Sequence, residues 1–208
     1  ETAHNRAGLT FNAGFDLLGD SIYPYRNDNL INITLMSLVV IGGLGFMVTA
    51  EIFRKKSFEK LSTHAKLVLI ISASLIVIGT LAFYLIESQA GGVLYQEGFK
   101  NSIMQSAFQS VSARTAGFYS VKLNQMHDTS VLLLIILMVI GGSPGSTAGG
   151  LKTTTFGVLI LSTISIFKQE DEVTIFKKHI EPKIIRKALA IIMVYLGLIF
   201  LVVFILSL

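Results

Sequence analysis

The chain has 208 residues, of which 52% are hydrophobic and only 14% charged, with no cysteine and a mean hydropathy of +0.68. A soluble domain of this size carries about 25% charged residues. The missing thiols exclude disulfides, thiolate metal sites and cysteine nucleophiles together. The formal charge of +4 does not point to nucleic acid, because the basic residues lie between long apolar runs, where membrane topology accounts for them.

In chain order, Glu1-Thr2-Ala3-His4-Asn5 is polar and has no apolar core of the signal-peptide kind. Phe11-Asn12-Ala13-Gly14-Phe15 follows, and then Leu30–Phe53, the first run that reaches the roughly 20 residues a membrane span needs. Its Gly42, Gly43 and Gly45 read as close-packing positions between helices, with room left beside them. Arg54, Lys55, Lys56, Lys60 and Lys66 separate it from a second run, Leu67–Ile86. The connector Glu87–Asp128 holds only Lys100, Arg114 and Lys122 as basic residues. A third run covers Val131–Phe167, and a fourth, Ala188–Leu208, follows a segment with six Lys and Arg. The positive-inside rule places both basic segments in the cytoplasm and the long connector outside, an assignment that alternates through four spans. The chain opens on Glu1, not methionine, and the fourth run has no polar flank, so a piece of a longer protein is expected.

Two segments are unlike ordinary loop or span. Phe99–Ala113 sets apolar residues at helical spacing among Ser and Gln, is too short to cross, and runs into Arg114-Thr115-Ala116-Gly117-Phe118. A short helix followed by extended backbone is how a chain enters a membrane partway, tolerated where it lines a wet cavity. Val131–Phe167 as one helix would measure about 55 Å, well beyond the hydrocarbon core. Its middle, Gly141-Gly142-Ser143-Pro144-Gly145-Ser146-Thr147-Ala148-Gly149-Gly150, holds five glycines and a proline, so two helices with a polar break are expected. A repeat links the halves. Ala13-Gly14-Phe15 returns as Ala116-Gly117-Phe118 after 103 positions, and Ile41-Gly42-Gly43 returns as Ile140-Gly141-Gly142 after 99.

The repeated unit suits an ion pore. A cation leaving water needs rings of backbone carbonyls, and glycine reaches the dihedrals that aim them. Short helices ending at the cavity present their partly negative C-termini to it. The predicted fold is therefore an all-α polytopic membrane protein of helix–re-entrant pore loop–helix units, as in potassium-channel-like transporters.

These residues resemble the Trk/Ktr/HKT potassium-uptake family, nearest to the bacterial Ktr/Trk pore-forming subunit. Asn12-Ala13-Gly14-Phe15 is similar to the second filter loop, although the family usually doubles the Asn, and Thr115-Ala116-Gly117-Phe118 is similar to the third. Gly141–Gly150 with Lys152 resembles the gating loop of the third repeat. The resemblance implies four units around one pore. Residues 1–53 would end the second unit, 54–66 form a cytoplasmic loop, and 67–166 make the third unit. Residues 167–187 would form another cytoplasmic loop and 188–208 open the fourth unit. It further implies gated potassium uptake in a bacterial plasma membrane, a homodimer in the lipid bilayer and a cytosolic ring of nucleotide-binding subunits. Potassium is the transported ion, and no organic cofactor, resident metal, nucleic acid or enzymatic reaction is expected.

Alternatives stay open at several residues. Lys152 either reaches the interface or faces the pore; Arg114 is a surface charge or, more in keeping with its neighbours, half of a buried salt bridge bracing the loop. Asp16 and Asp20 either attract cations or cap a helix. His4, His64, His127 and His179 lack ligand spacing, and the Ser and Thr hydroxyls of the glycine-rich break lack a base. That break also lacks the Gly-Lys-Ser/Thr ending of a phosphate loop. Glu51 and Glu87 stand at span edges, which argues against a proton-coupled secondary transporter, the rival within transport. A non-transporting membrane scaffold has no use for two glycine loops at repeat spacing.

Overall fold

The computed structural model describes residues 21–114, 116–169, 172–176 and 178–207. The expected filter residues Asn12, Ala13, Gly14, Phe15 and Thr115, together with Asp16 and Asp20, lie outside the described residues.

Helix α1 (Asn29–Leu44) starts where the Asp28 carboxylate accepts the Leu30 and Ile31 amides at 2.9 and 3.1 Å, satisfying donors that have no partner within the helix. Asn32, fully buried on its first turn, donates back to the carbonyls of Tyr25, Arg26 and Asp28 and so fixes the one-turn 3-10 helix Tyr23–Tyr25 in front of it. α1 ends at Gly45, and α2 (Phe46–Lys55) leaves at 103°. The run Leu30–Phe53, expected as one membrane span, is therefore built of two helices with a sharp bend between them. Gly45 holds φ +86, a backbone region that side chains disfavour. α2 packs Val48 against Leu61, Ala65 and Val68.

The turn after α2 is closed by Glu51, whose carboxylate accepts from Lys55 Nζ at 2.6 Å and from the Ser62 amide and hydroxyl at 2.7 Å each. Ser62 then caps α3 (Thr63–Glu87). At 25 residues α3 is about 37 Å long, enough to cross a bilayer core. α4 (Phe99–Ser112) has 14 residues, about 21 Å, and falls short of that. α5 (Asp128–Val139) and α6 (Thr153–Phe167) divide the third apolar run, with an irregular stretch between them. A small antiparallel hairpin, β1 (Thr174–Ile175) with β2 (Lys178–His179), adds strand that the all-α expectation omits. α7 (Pro182–Leu206) begins six residues earlier than Ala188, because Pro182 with its fixed φ suits the first helical position.

α3 and α7 are long and apolar enough to span a membrane, and the bent pair α1–α2 makes a third candidate. α3 is the hub, with α4, α5 and α6 packed along it. Gly79 makes the closest approach possible: a Cβ there would strike the Ser110 side chain of α4 and come within 2.9 Å of Leu137 Cδ1 on α5.

Candidate functional site: a glycine turn and a broken helix

α4 is short and polar yet deeply buried. Ser102, Ser106 and Ser110 recur every fourth residue, and Gln105 and Gln109 are also enclosed. Such side chains must be satisfied inside. Ser106 donates to the Ser102 carbonyl at 2.7 Å, Ser110 to the Ile76 carbonyl of α3 at 3.0 Å, and Gln105 to Asn27 Oδ1 at 3.2 Å. Gln109 Oε1 accepts the Ser120 amide at 3.4 Å and so reaches over the turn that follows.

That turn is held from several sides. The Ala116 and Gly117 amides both donate to the Ser112 carbonyl, at 2.9 and 3.4 Å, while the Ser112 hydroxyl donates to the Phe118 carbonyl. The Tyr119 amide donates to Ser21 Oγ at 3.0 Å, and the Ile22 amide to the Tyr119 carbonyl at 3.3 Å. Ala116 and Phe118 are buried in a cluster with Leu35 and Val39 of α1 and Phe108 and Val111 of α4. Gly117 between them is exposed and holds φ +82. No donor among the described residues reaches the carbonyls of Ala116 or Gly117. A buried, rigid frame thus presents one bare glycine peptide.

The second feature is the break 141–152. Gly142 N donates to Gly149 O at 3.3 Å and Leu151 N to Val139 O at 2.9 Å, so the chain doubles back on itself. Gly141 permits this, since a Cβ there would overlap the Gly149 carbonyl. The buried Thr153 hydroxyl donates to Ser143 Oγ at 3.2 Å, and Lys152 Nζ donates to Ala148 O at 2.9 Å. The loop is docked on the α1–α2 bend. Ser143 N donates to Gly43 O at 3.0 Å, Thr147 N to Gly42 O at 3.4 Å, and Phe46 N to Gly145 O at 3.2 Å. The last carbonyls of a helix have no partner within it, and here the loop amides serve those of α1. Gly42, Gly43 and Gly45 therefore meet this loop, which corrects the expectation that they pack one helix on another. At Gly45 a Cβ would sit 2.7 Å from the Pro144 carbonyl oxygen.

Residues 5–208 match the sequence profile of the family described as TrkH, cation transport protein. The chain belongs to the TrkH family. It is 39% identical over 185 residues to the Ktr system potassium uptake protein B of Vibrio alginolyticus, covering 88% of this chain and 41% of that protein. It is 37% identical over 196 residues to the potassium/sodium uptake protein NtpJ of Enterococcus hirae, covering 94% and 43%. The fold is similar to the crystal structure of the potassium transporter TrkH from Vibrio parahaemolyticus, with TM-score 0.74, 21% identity, and coverage of 94% of this chain and 42% of that one. The chain thus spans about two fifths of the length of these relatives.

Within this TrkH-family chain, the expected site residues fall into two groups. Ala116, Gly117 and Phe118 form the turn, and Gly141–Gly150 with Lys152 form the docked loop. Arg114 is buried, but the salt bridge expected for it is corrected: its Nη2 and Nη1 donate to Ser72 Oγ at 3.1 Å and Ser72 O at 3.4 Å on α3. Sequence reasoning missed Ser72, Gly79 and the bend at Gly45. Small residues in apolar runs look alike, and only the partner across the seam distinguishes them.

Proposed function

We propose that the parent of this chain takes up potassium through a gated, channel-like pore in the bacterial plasma membrane, with the Thr115–Phe118 turn as one wall of the filter. The observation that carries the reading is the bare Gly117 peptide: exposed, at φ +82, between two buried neighbours at the end of a short buried helix. A dehydrating cation needs carbonyl oxygens free of protein donors and held in place, so that the site need not reorganise. α4 adds the partly negative end of its dipole. The names of the relatives, which include potassium uptake protein B, support potassium as the ion. Asn12–Phe15 supplies a second wall by its resemblance to the first.

On this reading the Ser143–Gly150 loop lies across the path as the gate, and Lys152 holds its end through Ala148. Residues 1–53 end the second helix–loop–helix unit, 67–166 form the third, and 188–208 open the fourth, with 54–66 and 167–187 in the cytoplasm. The complete protein dimerises and answers to a cytosolic ring of nucleotide-binding subunits, as the family resemblance implies. The transported ion is the substrate.

The test is potassium uptake by the full-length protein in a transport-deficient cell, wild type against Gly117→Ser. A side chain at φ +82 is strained and crowds the carbonyl row. Uptake or its preference over sodium falls by at least about fivefold at unchanged membrane abundance, since a side chain forced into that region costs of order 1–3 kcal/mol. Unchanged flux and preference would remove Gly117 from the filter.

A further inference from the structure

Arg114 directly precedes the glycine turn and is only 7% exposed. Its hydrogen bonds go to one residue, Ser72, at the middle of α3, and Nε has no partner. Among the described residues no carboxylate pairs with it; the ion pairs there join Arg26 to Glu97, Lys55 to Glu51 and His179 to Glu172. A buried charge inside a membrane protein is costly. Its fork geometry is then what distinguishes it.

The seam between α3 and α4 supplies the geometry. Ser110 donates to the Ile76 carbonyl at 3.0 Å, and Arg114 reaches Ser72. On α3 the two acceptors, Ile76 and Ser72, are four residues apart and share one face; opposite them, in antiparallel order, stand Ser110 in the last turn of α4 and Arg114, two residues past its end. One contact would set only the separation of the helices. Two set how far α4 descends along α3, and the turn hangs from that end.

Resting on the filter reading above, we propose that Arg114 is a positioning residue: by clamping the end of α4 to Ser72 it fixes the depth and aim of the Ala116 and Gly117 carbonyls, and through them the choice between potassium and a smaller cation. The ammonium of a lysine, a compact charge on a flexible stem, lacks the planar fork that holds the hydroxyl and the carbonyl of Ser72 in one fixed geometry.

The experiment uses the full-length protein with Arg114→Lys, Arg114→Gln and Ser72→Ala. It reads potassium and sodium uptake, membrane abundance and the thermal midpoint of the purified protein. Arg114→Lys is expected to keep abundance within about twofold of wild type and lose about tenfold in potassium-over-sodium preference, the scale of one lost charged hydrogen bond. Ser72→Ala, which keeps the carbonyl, loses less in the same direction. Preference unchanged in Arg114→Lys and Ser72→Ala overturns the proposal, whether or not the midpoint falls, because a purely structural brace lowers abundance without changing selectivity. If Arg114→Gln fails to fold, the other two variants decide. Gly117→Ser run beside them separates the two claims: an effect there with none at Arg114 sinks this inference alone, and no effect at Gly117 sinks the filter reading.

Discussion

Glu87 is the last residue of α3 and has no exposed surface, yet both carboxylate oxygens are used: Oε2 accepts the Val93 amide and Oε1 the His127 amide, each at 2.9 Å. Those amides lie on either side of α4 and its turn, so one side chain ties both ends of the connector to α3. From sequence Glu87 reads as a span-edge residue, since nothing in its neighbours reveals which distant amides it meets. Removing the carboxylate would leave two amides without acceptors, and each charged hydrogen bond contributes about 1.5–3 kcal/mol. Glu87→Ala is therefore expected to cost about 3–6 kcal/mol, seen as a clear fall in the thermal midpoint of the purified full-length protein. Glu87→Gln, keeping one acceptor, should fall less. Equal midpoints for all three would mean that the connector is held elsewhere. Gly117 contrasts with Glu87 because its turn was legible: a glycine after a Ser- and Gln-rich amphipathic segment, in a tripeptide that repeats after 103 positions, ends the short helix, and the structure holds it at φ +82. The Arg114–Ser72 contact was half legible, since burial of the charge followed from its neighbours but a hydroxyl partner 42 residues away did not.

At the scale of elements, the two breaks were unequally visible. Between α5 and α6 the density of glycine with Pro144 excludes a continuous helix on propensity alone. The bend between α1 and α2 rests on Gly45, and a lone glycine in an apolar run is equally compatible with straight, close-packed helix. What bends it is tertiary: Phe46 N turns to Gly145 O, while the loop amides of Ser143 and Thr147 take Gly43 O and Gly42 O. The hairpin β1–β2 was invisible because two residues per strand carry no periodicity. The same contacts make the loop and the bend a single mechanical unit. A Cβ at Gly45 would press on the Pro144 carbonyl at 2.7 Å and strain a φ of +86. On the proposed gate reading, Gly45→Ala is expected to loosen the loop from its seat and raise potassium uptake by the full-length protein, with of order 1–3 kcal/mol lost in stability. Uptake at or below the wild-type level with normal abundance would argue that the loop is not a gate held by this bend.

For the whole molecule, α7 keeps only Ala188 buried, and Met193, Phe200 and Leu206 are at least 74% exposed. Such a surface fits lipid, or the three fifths of the relatives' length that lies outside this chain. The membrane class follows from composition and run length, and the family from the paired loops with the broken helix. On the proposed filter reading, the ring closes in the complete protein, where further carbonyl walls face Gly117. The measurement that tests this most directly is a structure of the full-length protein with a heavy potassium substitute such as rubidium or thallium, located by anomalous scattering. The expected result is ion density on the pore axis in contact with the Ala116 and Gly117 carbonyls. Ions bound elsewhere, with Gly117 turned to lipid or buried against another helix, would contradict it.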